Sequence, residues 1–211
     1  DEFGTPQEIP ETEDISAGGT DLTLTEGWYY VTASAAFTGT AAVSGNVFII
    51  IADSCILTVP SGGISVPSGS SLTIYAQTLT SAARGKLASA DTSVSLDGGS
   101  LTNAAVIGGV KTIRVESESA IHNYGTINAT GTGITFNAGG TLDNYGDIIA
   151  TTANSSGITN SAASKIAITN HEGGFVQGVK HGALLSGTTQ DSTLDNYGTF
   201  KSNLAIKIES D

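Results

Sequence analysis

Short apolar–polar alternations run along most of this chain, and none of the longer apolar stretches follows a helical i, i+3, i+4, i+7 rhythm. "VFIIIAD" at 47–53 and "SLTIYAQ" at 71–77 align at an offset of 25 residues and place Ile49 over Ile74. The second half repeats more openly. "AIHNYG", "TLDNYG", "ITNHEG" and "TLDNYG" recur, with their last glycines at Gly125, Gly146, Gly173 and Gly198. Three apolar columns follow from that alignment: Ile121, Leu142, Ile168 and Leu194; Ile127, Ile148, Phe175 and Phe200; and Ile134, Ile158 and Leu184.

Three inward positions per period fit an all-β chain wound as a right-handed parallel β-helix, with unequal coils of 21–27 residues. No coil of that size buries its apolar side chains alone, so stacking of neighbours makes the core. A β-sandwich is the alternative, because short strands joined by Gly-rich turns serve both folds. "GWYYV" at 27–31 is expected to start or plug the stack, and "LAIKIES" at 204–210 to close it as a protected final strand. Residues 1–18, with Pro6, Pro10 and clustered acids, read as a solvated tail, and residues 1–5 hold an "EFGT" that resembles a cloning remnant; 19–211 read as a single β-helix domain.

Within the repeated phrase, Asn123, Asn144, Asn170 and Asn196 share one register. Asparagine tolerates a left-handed backbone at turns, and stacked amides bond up a column as they do in cross-β arrays. The glycines Gly125, Gly146, Gly173 and Gly198 then supply a second unusual backbone angle. Directly after the asparagines stand Tyr124, Tyr145, His171 and Tyr197. In register, these four rings form one column along an edge, either shielding the turns by packing on one another or offering faces to sugar rings.

Composition narrows the function. The formal charge is −12, but Asp1, Glu2, Glu8, Glu11, Glu13 and Asp14 supply 6 of the 20 acids, which leaves 14 against 8 bases. Without a basic stripe, nucleic acid is not an expected partner. Cys55 is the single cysteine, so no internal disulfide forms, and its apolar surroundings suggest a packed thiol. No apolar run reaches the ~20 residues of a membrane span, so no membrane insertion is expected. The absence of Met fits a processed or excised piece.

Catalytic and metal patterns are thin. Asp143 and Asp195 share a register two coils apart, about 9.6 Å at ~4.8 Å per rung, the far limit for an inverting glycosidase pair. His122 aligns with Asp143 on the next coil. Arg84 and Arg114, the two arginines, lie apart from any inferred cluster of Lys and acids. No calcium-loop pattern occurs, and no cofactor or metal is expected. Variable coil length, with Asp147 between Thr126 and Thr199, argues against an ice-binding lattice.

The stretch from Glu26 to Leu87 resembles the β-helical repeat region of large secreted bacterial surface proteins. The resemblance lies in the phrases at Asp53–Leu57, Gly63–Ile64, Ser68–Gln77 and Gly85–Leu87. The "NYGTI" half is similar to repeats of adhesin and autotransporter passenger domains. What the resemblance implies is a secreted, cell-surface module with a pectate-lyase-like fold used for display or adhesion, and no catalytic residues. The expected function is non-catalytic binding, with a host or microbial glycan or a surface protein as partner. A polysaccharide-active enzyme and a structural stalk are the alternatives.

Overall fold

A computed structural model of the chain describes residues 11–78, 82–161, 164–186 and 191–209. It is a parallel β-solenoid. One nine-stranded parallel sheet takes a strand from every coil, from Thr12–Asp14 at one end to Thr193–Asn196 at the other; we call it the first face. The remaining strands form a second sheet that bends along a corner into two further faces. Strands Val106–Ser117 and Thr126–Phe136 run through that corner without a break. Each coil therefore visits three faces in turn, and all three close on a shared apolar interior.

The alternation read from the sequence explains the packing. Along the first face Leu72, Leu101, Ile121, Leu142 and Ile168 stack in register, each almost fully buried. Ile49 lies directly on Ile74, as the offset predicts. β-branched and Leu side chains fill a pleated, half-buried surface well, and here each coil covers the apolar row of the one before it. Between Trp28, Phe48, Thr73 and Thr102 the coils measure 20, 25 and 29 residues. Between Asn103, Asn123, Asn144, Asn170 and Asn196 they measure 20, 21, 26 and 26, so the coils vary more than expected.

Several expectations shift. "NHEGG" holds two residues more than "NYG", so Gly174 takes the register and exposed Gly173 sits in the longer turn at φ +85°. For the same reason Val176, rather than Phe175, stands between Ile148 and Phe200. Ala183 pairs with Ile158, which turns Leu184 outward. "GWYYV" is an ordinary rung: Tyr29 and Val31 enter the core, and Trp28 and Tyr30 face out. Thr12–Asp14 pairs with Trp28–Tyr30, so the expected tail is joined to the sheet at that point, while residues 1–10 lie outside the described ones. "LAIKIE" is not protected, since Leu204, Ile206 and Ile208 are 51%, 39% and 67% exposed.

Candidate functional site

The repeated phrase builds a buried amide ladder. Asn123, Asn144 and Asn170 end their strands with side chains turned inward and no exposed surface. Asn123 Nδ2 donates to Asn144 Oδ1, Asn144 Nδ2 to Asn170 Oδ1, and Asn170 Nδ2 to Asn196 Oδ1, each at 2.8 Å. Asn103 begins the ladder by donating to Asn123 Oδ1 at 2.8 Å. "TNAA" lacks the ring and the glycine, and its one sequence signal is Leu101 standing below Ile121 in the same alternation.

The asparagines are not left-handed. Among the described non-glycine residues only Ser54 and Asn154 have positive φ, so the ladder residues are extended and serve through their amides. The glycines answer to space instead of angle. A Cβ on Gly125, Gly146 or Gly198 would collide with the carbonyl of Ala105, Gly125 or Gly174 in the coil below. Backbone bonds lock the turn: Asn123 O accepts from Tyr145 N at 2.8 Å and from Gly146 N at 3.0 Å.

That turn fixes the rings. Tyr124 and Tyr145 stack with centroids 4.9 Å apart and planes 9° from parallel, and Tyr145 and His171 stack at 3.9 Å and 5°. Such pairs contribute ~0.5–1.5 kcal/mol each beyond burial. Ring faces in the stack cover one another, which leaves edges to the outside. Tyr197 follows the strand paired above Ile166–Asn170 but does not join the stack among the described residues; the residue is 71% exposed. Toward the N-terminal end the same outward column continues as Ala104, Tyr75, Ile50 and Tyr30. Beside it Trp28 stacks on Phe48 at 4.5 Å and lies 6.0 Å from Tyr75, whose phenol is pushed above its ordinary pKa by burial.

Next to the ring column, on the same outer surface, Asp143 bridges two imidazoles. His171 Nε2 lies 2.9 Å from Asp143 Oδ1, and His122 Nδ1 lies 3.4 Å from Oδ2. The strand alignment predicts the His122 contact. The His171 contact comes from the turn, where the imidazole leans back over its neighbour's strand, and no alignment of columns would reveal it. Asp195 stands on Thr169 and not on Asp143, as the spacing predicts.

A groove of about 510 Å³ runs along the other margin of this face. Its strand-borne lining residues Asn46, Ser71, Ser100, Ala120 and Thr141 are successive register partners. Five rungs at ~4.8 Å give a trough ~19 Å long. Gly69, Gly98, Gly99 and Gly140 also line it, and Glu118 is its one charged lining residue. Ser71 Oγ donates to Asn46 Oδ1 at 2.8 Å, and Ser119 Oγ accepts from Gly98 N at 3.1 Å. Thr141, Asp143 and Tyr145 follow one another at two-residue steps, ~7 Å each along the extended chain. Groove, carboxylate–imidazole cluster and ring column are thus three parallel tracks. No family model, curated protein or solved structure matches the chain.

Proposed function

We propose that the chain is a non-catalytic, extracellular surface module that holds an extended, hydroxyl-rich polymer, a glycan, along the outer surface of the first face. The observation that carries this reading is the groove spanning five coils, open along its length and lined by backbone and small hydroxyl side chains. Such a trough suits a linear ligand whose many hydroxyls exchange hydrogen bonds with Ser, Thr and Asn, and it gives no bulk to obstruct sugar rings. The stacked rings then act as a wall with polar edges, and the exposed Tyr197 offers a ring face for apolar C–H contact.

A glycan array tests it on three proteins: the unaltered chain, Ser100→Trp to fill the groove, and the double variant Tyr145→Ala/Tyr197→Ala. Binding that Ser100→Trp abolishes and the double variant weakens supports the reading. A blank array with all three proteins folded overturns it and leaves a rigid spacer. Binding untouched by Ser100→Trp moves the ligand elsewhere.

One observation favours a second reading, a polysaccharide-active enzyme: the Asp143 carboxylate held between His122 and His171, two residues along the strand from Thr141 of the groove. Release of reducing ends from a bound polysaccharide, lost in Asp143→Asn, would establish it.

A further inference from the structure

The face that the middle coils enter after the ladder turn carries a second depression, of about 290 Å³, with a cation lying in it. Lys86, Val106 and Thr126 stand in one outward column of that face, and Ala88, Gly108 and Asn128 in the next. Glycine inside a strand weakens it and often marks a place where something approaches the backbone closely. Gly108 sits in strand Val106–Ser117 without a positive φ, so its backbone angle does not call for glycine. Space does. A Cβ there would meet Lys86 Cε at 2.6 Å and Nζ at 3.0 Å. The missing side chain is the seat of the Lys86 ammonium. A lysine on a free surface extends its head into water, whereas this one lies across the sheet against the next coil. It makes no ion pair or side-chain hydrogen bond among the described residues.

The same segment supplies a second charge. Gly85 packs against Ile51 O with no room for a Cβ, and Arg84 and Lys86 flank it. Arg84 Nη2 donates to Thr126 Oγ1 at 3.1 Å, and Arg84 too has no ion pair among the described residues. Thr126 and Gly108, where the two charges rest, are one rung and two residues apart, ~8 Å. Exposed Asn128 and Thr130 line the depression beside them. Asp147, the register partner of Thr126 on its other side, pairs with neither cation.

In a chain of 20 acids and 8 bases, two neighbouring cations both lack a carboxylate. From this geometry we infer that the depression is an anion subsite for a tetrahedral oxyanion, a phosphate or sulfate group, free or carried on a larger ligand. One oxygen accepts from the seated Lys86 ammonium, and others accept from the Arg84 guanidinium, whose paired N–H groups match such an anion. Asn128 Nδ2 adds a neutral donor.

The test is an NMR titration of the isotope-labelled chain, at constant ionic strength, with inorganic phosphate, glycerol phosphate and glycerol. Saturable shifts centred on Ala88, Gly108 and Asn128 are expected with either phosphate and none with glycerol. Tighter binding of the ester would make the group one carried on a larger ligand, and tighter binding of the inorganic ion a free one. Lys86→Gln should weaken binding about tenfold, the effect of one lost hydrogen bond to a charged group. Gly108→Ala keeps the charge but unseats it, and should also weaken binding; Lys180→Gln, an exposed lysine elsewhere, should not. No saturable shift, shifts scattered over the other lysines, an equal response to glycerol, or unchanged binding in Lys86→Gln or Gly108→Ala overturns the inference. None of these outcomes depends on a ligand in the groove of the first face.

Discussion

Replacing Asn144 with Ala removes the middle of the ladder. The side chain makes three hydrogen bonds with no exposed surface: it accepts from Asn123 Nδ2 at 2.8 Å and donates to Asn170 Oδ1 at 2.8 Å and to Gly146 O at 2.9 Å. At ~1 kcal/mol net for each, the lost bonds cost ~3 kcal/mol. Asn123 Nδ2 keeps longer contacts to Gly125 O and Asp147 O, at 3.4 and 3.3 Å. Asn170 Oδ1 keeps none among the described residues, and an orphaned buried acceptor adds ~1–3 kcal/mol. The expected cost is ~4–6 kcal/mol. Asn196→Ala is the internal control: it removes one bond from an exposed residue that water can satisfy, so ~1 kcal/mol or less is expected.

Because solenoids unfold less cooperatively than compact domains, hydrogen exchange read coil by coil suits this comparison better than a single midpoint. Asn144→Ala should lower protection of strands Gly140–Asn144 and Ile166–Asn170 by about three to four decades, at ~1.4 kcal/mol per decade. Equal effects of the two substitutions, or less than one decade for Asn144→Ala, would refute the claim that the buried amides hold the coils together.

The glycine that carries the register can be identified in the same way. Gly174→Ala should cost several kcal/mol, because a Cβ there meets Asn144 O at 2.5 Å. Gly173→Ala should cost ~1 kcal/mol, since the site is open and only its positive φ opposes a side chain; comparable losses in a urea titration would contradict this assignment. Acid should loosen the N-terminal coils. Asp21 Oδ1 accepts from Thr40 N and Thr40 Oγ1 at 2.7 and 2.8 Å, which holds its pKa below the ordinary 3.8. A lowered folded-state value means the tie contributes stability above pH 3.8 and loses it as pH falls through the folded value. A carboxyl-carbon NMR titration of Asp21 checks this, and a midpoint at or above 3.8 would refute it.

The architecture was legible because its repetition has a physical cause. From Asn103 onward each coil returns an Asn to the ladder and places an apolar residue two positions before it, so "NYG" and its preceding Ile or Leu survive changes in loop length. Where a coil met the same need with different spelling, the sequence misled. Asn103 holds the ladder without ring or glycine, and "HEGG" hides its true register residue, Gly174, behind Gly173. Ala183 is a core residue too small to stand out beside Leu184. The groove was invisible because Gly, Ser, Ala and Thr line most of it, and such common small residues leave no distinctive pattern. The Asp143–His171 contact crosses a turn, where strand register gives no guide.

Cysteine pairing tests the in-register stacking most directly. Thr141 and Ala167 are partners on adjacent parallel strands, with side chains on the outer surface. Their spacing of ~4.8 Å lies within disulfide reach, whereas Thr141 and Thr169 are two residues out of step, at ~8 Å. With Cys55 replaced by Ser, mild oxidation should join Thr141→Cys to Ala167→Cys almost completely and leave Thr141→Cys with Thr169→Cys reduced. The reverse preference, or no cross-link in either protein, would contradict the stacked coils on which groove, ladder and ring column all depend.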